Sequence, residues 1–145
     1  MLIPKNRKYR KAQKSVKKSL RSGRYPQSLT FGSYGLKALN SGWLKASHLE
    51  SVRRVLIRGT RNIGKIWIRV FPDKPISQKP IKTRMGKGKG SVQFWISPIS
   101  PGRILFEIKG SISQSVAKDL LQKASYKLPI LTKFVTYNSS SFMLT

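Results

Sequence analysis

The side chains able to act as general acids, bases or metal ligands in this sequence are few: His48 and the carboxylates Glu50, Asp73, Glu107 and Asp119. Catalysis by proton transfer needs such groups to converge, and nucleophilic catalysis needs a nucleophile beside a base. Here each group has a plainer role. His48 has no Cys and no carboxylate pair near it and reads as a surface residue beside a helix cap. Glu50 fits a capping box, Asp73 a turn and Asp119 an exposed helix face. Glu107 falls in mid-strand, where an ion pair with a nearby Lys or Arg is expected. There is no Cys, so thiolate zinc sites, disulfides and Cys nucleophiles are excluded. No cluster has metal-ligand spacing, and neither an enzyme nor a cofactor is expected.

The remaining chemistry is cationic. Ser77 to Ser91 reads SQKPIKTRMGKGKGS, with five Lys or Arg and three Gly. The run Lys89-Gly90-Ser91 has the wrong order for a Walker loop and precedes a strand rather than a helix, so an NTPase reading fails. Glycine lets a backbone approach closely and expose its N–H groups, while Lys and Arg deliver charge to phosphate. Lys79, Lys82, Arg84, Lys87 and Lys89, with Met85, Gly86, Gly88 and Gly90 between them, form a candidate polyanion-facing loop. A merely solvated loop is the alternative; without one acid its five cations should spread apart unless an anion holds them.

Over 145 residues, 30 Lys and Arg against 4 Asp and Glu give a net charge of +26. Such a chain repels itself until a partner neutralises it. No apolar run approaches the ~18 residues of a membrane span, and no long basic amphipathic helix is visible, so nucleic acid is favoured over a membrane surface. Ten of the first 24 residues are Lys or Arg, and no acid precedes Glu50. Residues 1–28 therefore read as a basic arm that orders on a polyanion, with Lys5, Arg7, Lys8, Arg10, Lys11 and Lys14 as contacts. An organelle transit peptide has the same composition; a secretory signal is excluded by the missing apolar stretch.

These groups need a scaffold, expected at residues 29–137 as a single α+β domain: two helices packed on a mixed, mainly antiparallel sheet. Leu29 to Leu44 reads as a bent strand and a turn at Asn40–Gly42. Ser47-x-x-Glu50 reads as a capping box opening a helix that Gly59 or Gly64 ends. Its apolar stripe is Leu49, Val52 and Leu56, widened by Val55 and Ile57, with Arg53, Arg54, Arg58 and Arg61 turned away from it. Gly64 to Phe71 alternates as a strand, with Ile66, Ile68 and Val70 on one side and Trp67, Arg69 and Phe71 on the other; Arg69 joins Arg53, Arg54, Arg58 and Arg61 as a candidate nucleic-acid contact. Pro72 to Pro75 reads as a turn. Val92–Ile96 and Ile104–Ile108, around Ser100-Pro101-Gly102, read as a hairpin. Ser113 caps a second helix with Val116, Ala117, Leu120, Leu121, Ala124 and Leu128 on its apolar side, stopped by Pro129. A last strand runs through Ile130 to Tyr137, and a Ser-rich tail covers residues 138–145. Trp67, Trp95, Phe94, Phe71 and Phe106 are expected mostly in the core; an exposed one can stack on a splayed base, but no RNP1-type sequence is present.

Gly64-Lys-Ile-Trp-Ile-Arg-Val-Phe-Pro-Asp-Lys-Pro-Ile76, followed by Arg84-Met-Gly-Lys-Gly-Lys-Gly90, closely resembles the large-subunit ribosomal protein L-sixteen family of bacteria and organelles. So do Met1-Leu-Ile-Pro-Lys5, Tyr9-Arg-Lys11, Phe31-Gly-Ser-Tyr-Gly-Leu-Lys37, Glu50 with Arg53-Arg54, Pro101-Gly-Arg-Ile-Leu-Phe-Glu107, Lys127-Leu-Pro129 and Thr132-Lys-Phe-Val135. The resemblance spans roughly residues 1–136. It implies an α+β sandwich and a structural constituent of the large ribosomal subunit, with no enzymatic activity and no membrane insertion. It implies binding to large-subunit rRNA near the central protuberance and the tRNA channel, with the arm threading between rRNA helices. The loop matching Lys79 to Ser91 would face the peptidyl-transferase region and help to position A-site tRNA. P-site tRNA and neighbouring large-subunit proteins are further implied partners. Among the departures are Trp43, where relatives carry a basic or small residue, the low acid content of the second helix, and a tail with no family counterpart. Together with many Ser and Ile they point to an organelle-encoded copy on the mitochondrial ribosome, ahead of the plastid and the bacterial cytoplasm. Because the start matches the family's mature N-terminus, no cleaved transit peptide is expected. Composition alone equally allows a free-standing nucleic-acid chaperone or DNA-compacting protein.

Overall fold

Runs of β-branched and aromatic residues set the strands, and two amphipathic stretches set the helices. The structure is a computed structural model that describes residues 2–13, 27–61 and 63–137. Lys14, most of the arm beyond it and the tail lie outside the described residues. The elements are β1 (Tyr34–Ala38), β2 (Gly42–Lys45), α1 (Ala46–Thr60), β3 (Gly64–Ile68), β4 (Lys74–Ser77), β5 (Val92–Ile99), β6 (Ile104–Gly110), α2 (Gln114–Ser125) and β7 (Thr132–Thr136).

The α+β class is as expected, but the single mixed sheet is corrected to two antiparallel ones. A four-stranded sheet runs β3-β6-β1-β7 and a three-stranded sheet runs β2-β5-β4. The expected β5–β6 hairpin does not form. β5 is the middle strand of the smaller sheet and β6 an inner strand of the larger, so each has both edges occupied. The Pro101–Gly102 turn instead passes the chain from one sheet to the other, with Gly102 at φ 84. The stretch expected as a turn at Pro72–Pro75 already enters β4; Pro75, lacking an N–H, is tolerated there because β4 is an edge strand. The strand expected over Gly64–Phe71 ends at Ile68, although Arg69 still donates its N–H to Leu105 at 2.9 Å.

α1 begins earlier than its expected Ser47 cap. Lys45 is the N-cap, and its backbone N–H donates to Nδ1 of His48 at 3.4 Å. Glu50 does not reach back to a cap, because two guanidiniums one turn ahead bind it and charge-assisted pairs outcompete a single N–H. The helix ends at Thr60 with Arg61 in the left-handed region, whereas Gly59 stays helical against Leu120 of α2. α2 starts after Ser113 as expected but stops at Ser125, before Pro129 has any part in it.

Leu49, Val52 and Leu56 of α1 and Leu121 and Ala124 of α2 are buried in one core with Leu36, Phe106 and Ile108 of the larger sheet, and Ala117 is buried as well. Ile57 and Val116, expected on the core stripes, are exposed. The aromatic expectation is corrected too. Phe106 is buried, but Trp67, Trp95 and Phe94 are only half-buried and Phe71 is exposed. Their strands have a second face that no helix covers.

On that second face of the larger sheet sits a fully buried carboxylate. Glu107 Oε2 accepts the backbone N–H groups of Phe31 and Gly32, each at 2.7 Å, and of Thr30 at 3.2 Å. Oε1 pairs with Arg69, as the mid-strand position predicts. Gly32 permits this approach, since a Cβ there would stand 2.8 Å from Glu107 Cβ and from the Ile108 backbone.

Two outcomes are expected. Glu107→Ala strands one guanidinium and three N–H donors and should lower unfolding stability in urea by about 3–5 kcal/mol, with Arg69→Ala also strongly destabilising; a loss under about 1 kcal/mol would show that the network is dispensable. The His48 ring, partly buried and beside Lys45, is held below its ordinary 6.5. The neutral ring is the acceptor, so the cap contributes fully above pH 6.5 and is lost as pH falls through the lowered value. An NMR titration with a His48 midpoint at or above 6.5 would contradict this.

Candidate nucleic-acid interface

The β4–β5 connection, residues 78–91, contains neither helix nor strand. Its base is closed by the Gln78 N–H donating to Ser91 at 3.1 Å. At its tip Gly86, Lys87 and Gly88 have φ of 98°, 52° and 77°, so the glycines carry a left-handed bend that leaves Lys87 as its one side chain. Lys79 Nζ donates to the Gly86 carbonyl across the loop. Lys82, Arg84, Met85, Lys87 and Lys89 are exposed; Lys79 and Gly90 are partly covered.

The arm meets this loop. Residues 2–13 contain no helix or strand, but Leu2 packs against the core. Arg7 donates to the Asp73 carbonyl, and its guanidinium lies 5.6 Å from the Trp95 ring centroid. Lys11 Nζ donates to the Lys89 carbonyl at 2.7 Å, and Lys89 Nζ donates to the Ala12 carbonyl at 2.6 Å. Between arm and β5 opens a cleft of about 660 Å³ whose walls include Lys5, Arg7, Lys8, Arg10 and Trp95. All these cations are exposed, and none is ion-paired with a described carboxylate. Two stretches read separately in the sequence thus make one basic surface, on which Lys89 also holds the arm.

α1 carries a second group. Arg53 donates to both Glu50 oxygens, at 2.9 and 2.7 Å, and Arg54 to one at 3.3 Å. The Arg53 hydrogen bonds, with help from Arg54, bring the Glu50 carboxyl down to about 2, and Glu50 in turn raises Arg53 above its usual value. Glu50 therefore stays ionised and fixes the two guanidiniums along the helix. Arg58 and Arg61 are exposed and ion-paired with no described residue. Arg69, expected with these arginines as an rRNA contact, is instead turned into the buried Glu107 pair, because its guanidinium supplies the donor that Glu107 Oε1 needs.

The sequence reading omitted Lys45, whose ammonium lies 4.5 Å from the Phe94 ring, and Lys65, which lies 5.5 Å from the Trp67 ring. The alternation in Gly64–Phe71 already put Lys65, Trp67 and Arg69 on one side, which was the available signal. Among the described residues no His or carboxylate cluster fit to hold a metal occurs, and no helix is long and apolar enough to cross a membrane.

Known proteins share much of this sequence. The sequence profile described as "Ribosomal protein L16p/L10e" matches residues 4–135. The large ribosomal subunit protein uL16 of Buchnera aphidicola subsp. Baizongia pistaciae is 48% identical over 136 residues, covering 94% of this chain and 97% of that protein. With scaffold, loop and basic arm residues all inside the matched span, the chain belongs to the ribosomal protein L16p/L10e family.

Proposed function

We propose that the chain is a structural constituent of the large ribosomal subunit that binds rRNA through its arm, loop and α1 arginines and helps to position A-site tRNA through the loop tip. Membership of a ribosomal protein family makes it a non-enzymatic component of the translation machinery. The observation that carries the rRNA reading is the joined arm and loop, an exposed multi-cation surface whose cations form no ion pair with a described carboxylate. Neutralising phosphates there releases condensed counterions, a large part of the affinity of basic proteins for RNA. The same logic assigns Lys5, Arg7, Lys8, Arg10 and Lys11 to rRNA, with Arg53, Arg54, Arg58 and Arg61 as a second contact. Lys79, Lys82, Arg84, Lys87 and Lys89 face rRNA or tRNA, with Met85 and the three glycines shaping the tip. P-site tRNA and adjoining large-subunit proteins are the further partners in this reading. Lys14 belongs with the arm by sequence.

The bacterial relative supports a ribosome of bacterial type, which mitochondria and plastids share. Scarce acids and abundant Ser and Ile support the mitochondrial one. Stable sedimentation with the large subunit in high salt tests the assignment; release into a soluble or nucleoid fraction would favour a free-standing nucleic-acid chaperone.

Two expected outcomes separate positioning from scaffold roles. Arg54→Ala with Arg58→Ala should weaken RNA binding evenly across sequences and reduce the salt slope by about 1–2, read by filter binding at several salt concentrations; a change in sequence preference would contradict phosphate contact. Arg84→Glu with Lys87→Glu, both at exposed positions, should leave thermal unfolding of the purified chain within about a degree while impairing A-site tRNA binding by reconstituted subunits. Normal tRNA binding would show the tip to be only a solvated connection. Lys89 is left out of this pair because its ammonium holds the arm.

A further inference from the structure

The outer face of the larger sheet carries an aromatic pair that the core does not use. Trp67 stands opposite Glu107, Glu107 opposite Gly35, and Gly35 opposite Val135, so these four share one face. Their neighbours Ile66, Leu36, Phe106 and Phe134 take the other face and meet the helices' core. Across the outer face runs the segment 29–32. Leu29 lies over Gly35, where a Cβ would come within 2.3 Å of its Cδ2, and Glu107 grips the N–H groups of Thr30, Phe31 and Gly32. Phe31 is thereby held in place yet left 50% exposed. Its ring stacks on Trp67 with centroids 6.0 Å apart and planes 18° from parallel. Lys65 lies 5.5 Å from the Trp67 ring and the Arg69 guanidinium 4.8 Å from the Phe31 ring.

A lone exposed aromatic needs no explanation. Here two rings lie nearly parallel, flanked by cations, and one is fixed outward by a buried carboxylate. The register places Lys109 beside Lys65 at the end of the same face. The one described acid on the face, Glu107, is fully buried beneath the segment and already occupied. Flat π-surfaces hemmed by ammonium groups suit an unpaired base followed by its phosphates, since every base has a π-face and stacking tolerates any sequence.

We infer that the Phe31–Trp67 face is a stacking platform for an unpaired nucleobase of rRNA, with Lys65 and Lys109 taking the adjoining phosphates. The inference rests on the rRNA reading above and deepens it, because it assigns part of the affinity to a base rather than to charge.

The full-length chain carrying Trp43→Phe and Trp95→Phe leaves Trp67 as its one indole. Its emission is followed against a short single-stranded oligouridylate and against an abasic ribose-phosphate oligomer of equal length. Oligouridylate should quench Trp67 and bind about tenfold more tightly than the abasic strand. Phe31→Ala should abolish that difference, and Phe31→Tyr should keep it. Equal binding of the two strands without base-dependent quenching overturns the platform alone, leaves the rRNA reading standing, and assigns the patch to a side chain of a neighbouring protein. Binding of neither strand overturns the rRNA reading and the platform with it.

Discussion

Glu107 ties together parts of the chain that are far apart in sequence. Its carboxylate reaches 38 positions back to Arg69 and 75 to 77 positions back to the segment at Thr30–Gly32. An ionised carboxylate is costly to bury unless every lone pair finds a donor, and here one oxygen takes three N–H groups and the other a guanidinium. That requirement fixes much else. Gly32 must lack a side chain, Leu29 is pressed onto Gly35, and Phe31 is turned outward. The route of the chain from the arm into β1 is therefore set by a polar constraint on the outer face, while the apolar core forms on the inner one.

A strongly basic chain has to keep some of its charge for itself. Two of the four acids are used internally, Glu107 with Arg69 and Glu50 with Arg53 and Arg54. The Glu50 pairs still leave guanidinium surface exposed, so they orient arginines as well as neutralise them. No described carboxylate pairs with the arm–loop cations, and four of them, Arg7, Lys11, Lys79 and Lys89, are held by carbonyl oxygens. Carbonyls position an ammonium without cancelling its charge, and the positive potential stays available to an incoming polyanion.

What the sequence made legible was whatever local periodicity controls. The spacing of Leu49, Val52 and Leu56 located α1 and its buried stripe, and the alternation from Ile66 to Val70 located β3 and its core side. Strand pairing was not legible, because the Pro101–Gly102 turn looks the same whether it closes a hairpin or crosses between sheets. β4 was hidden by Pro72 and Pro75, which suit a turn as well as an edge strand. The half-burial of Trp67 and Trp95 is not legible, because residue type argues for full burial without counting how many faces the helices cover. The candidate site divided in the same way. Its cations stood out as charge runs, whereas the Lys11–Lys89 exchange joins side chains to backbone carbonyls, which leave no mark in a sequence.

Among the described residues the two open sheets leave four rims: β3 and β7 on the larger, β2 and β4 on the smaller. Each rim strand carries a lysine, respectively Lys65, Lys133, Lys45 and Lys74, and β4 adds Pro75. Unpaired rims are templates for edge-to-edge aggregation, which lysine and proline suppress. Between synthesis and incorporation into its subunit the chain must exist alone, and in that interval these rim lysines keep one copy from annealing to the next.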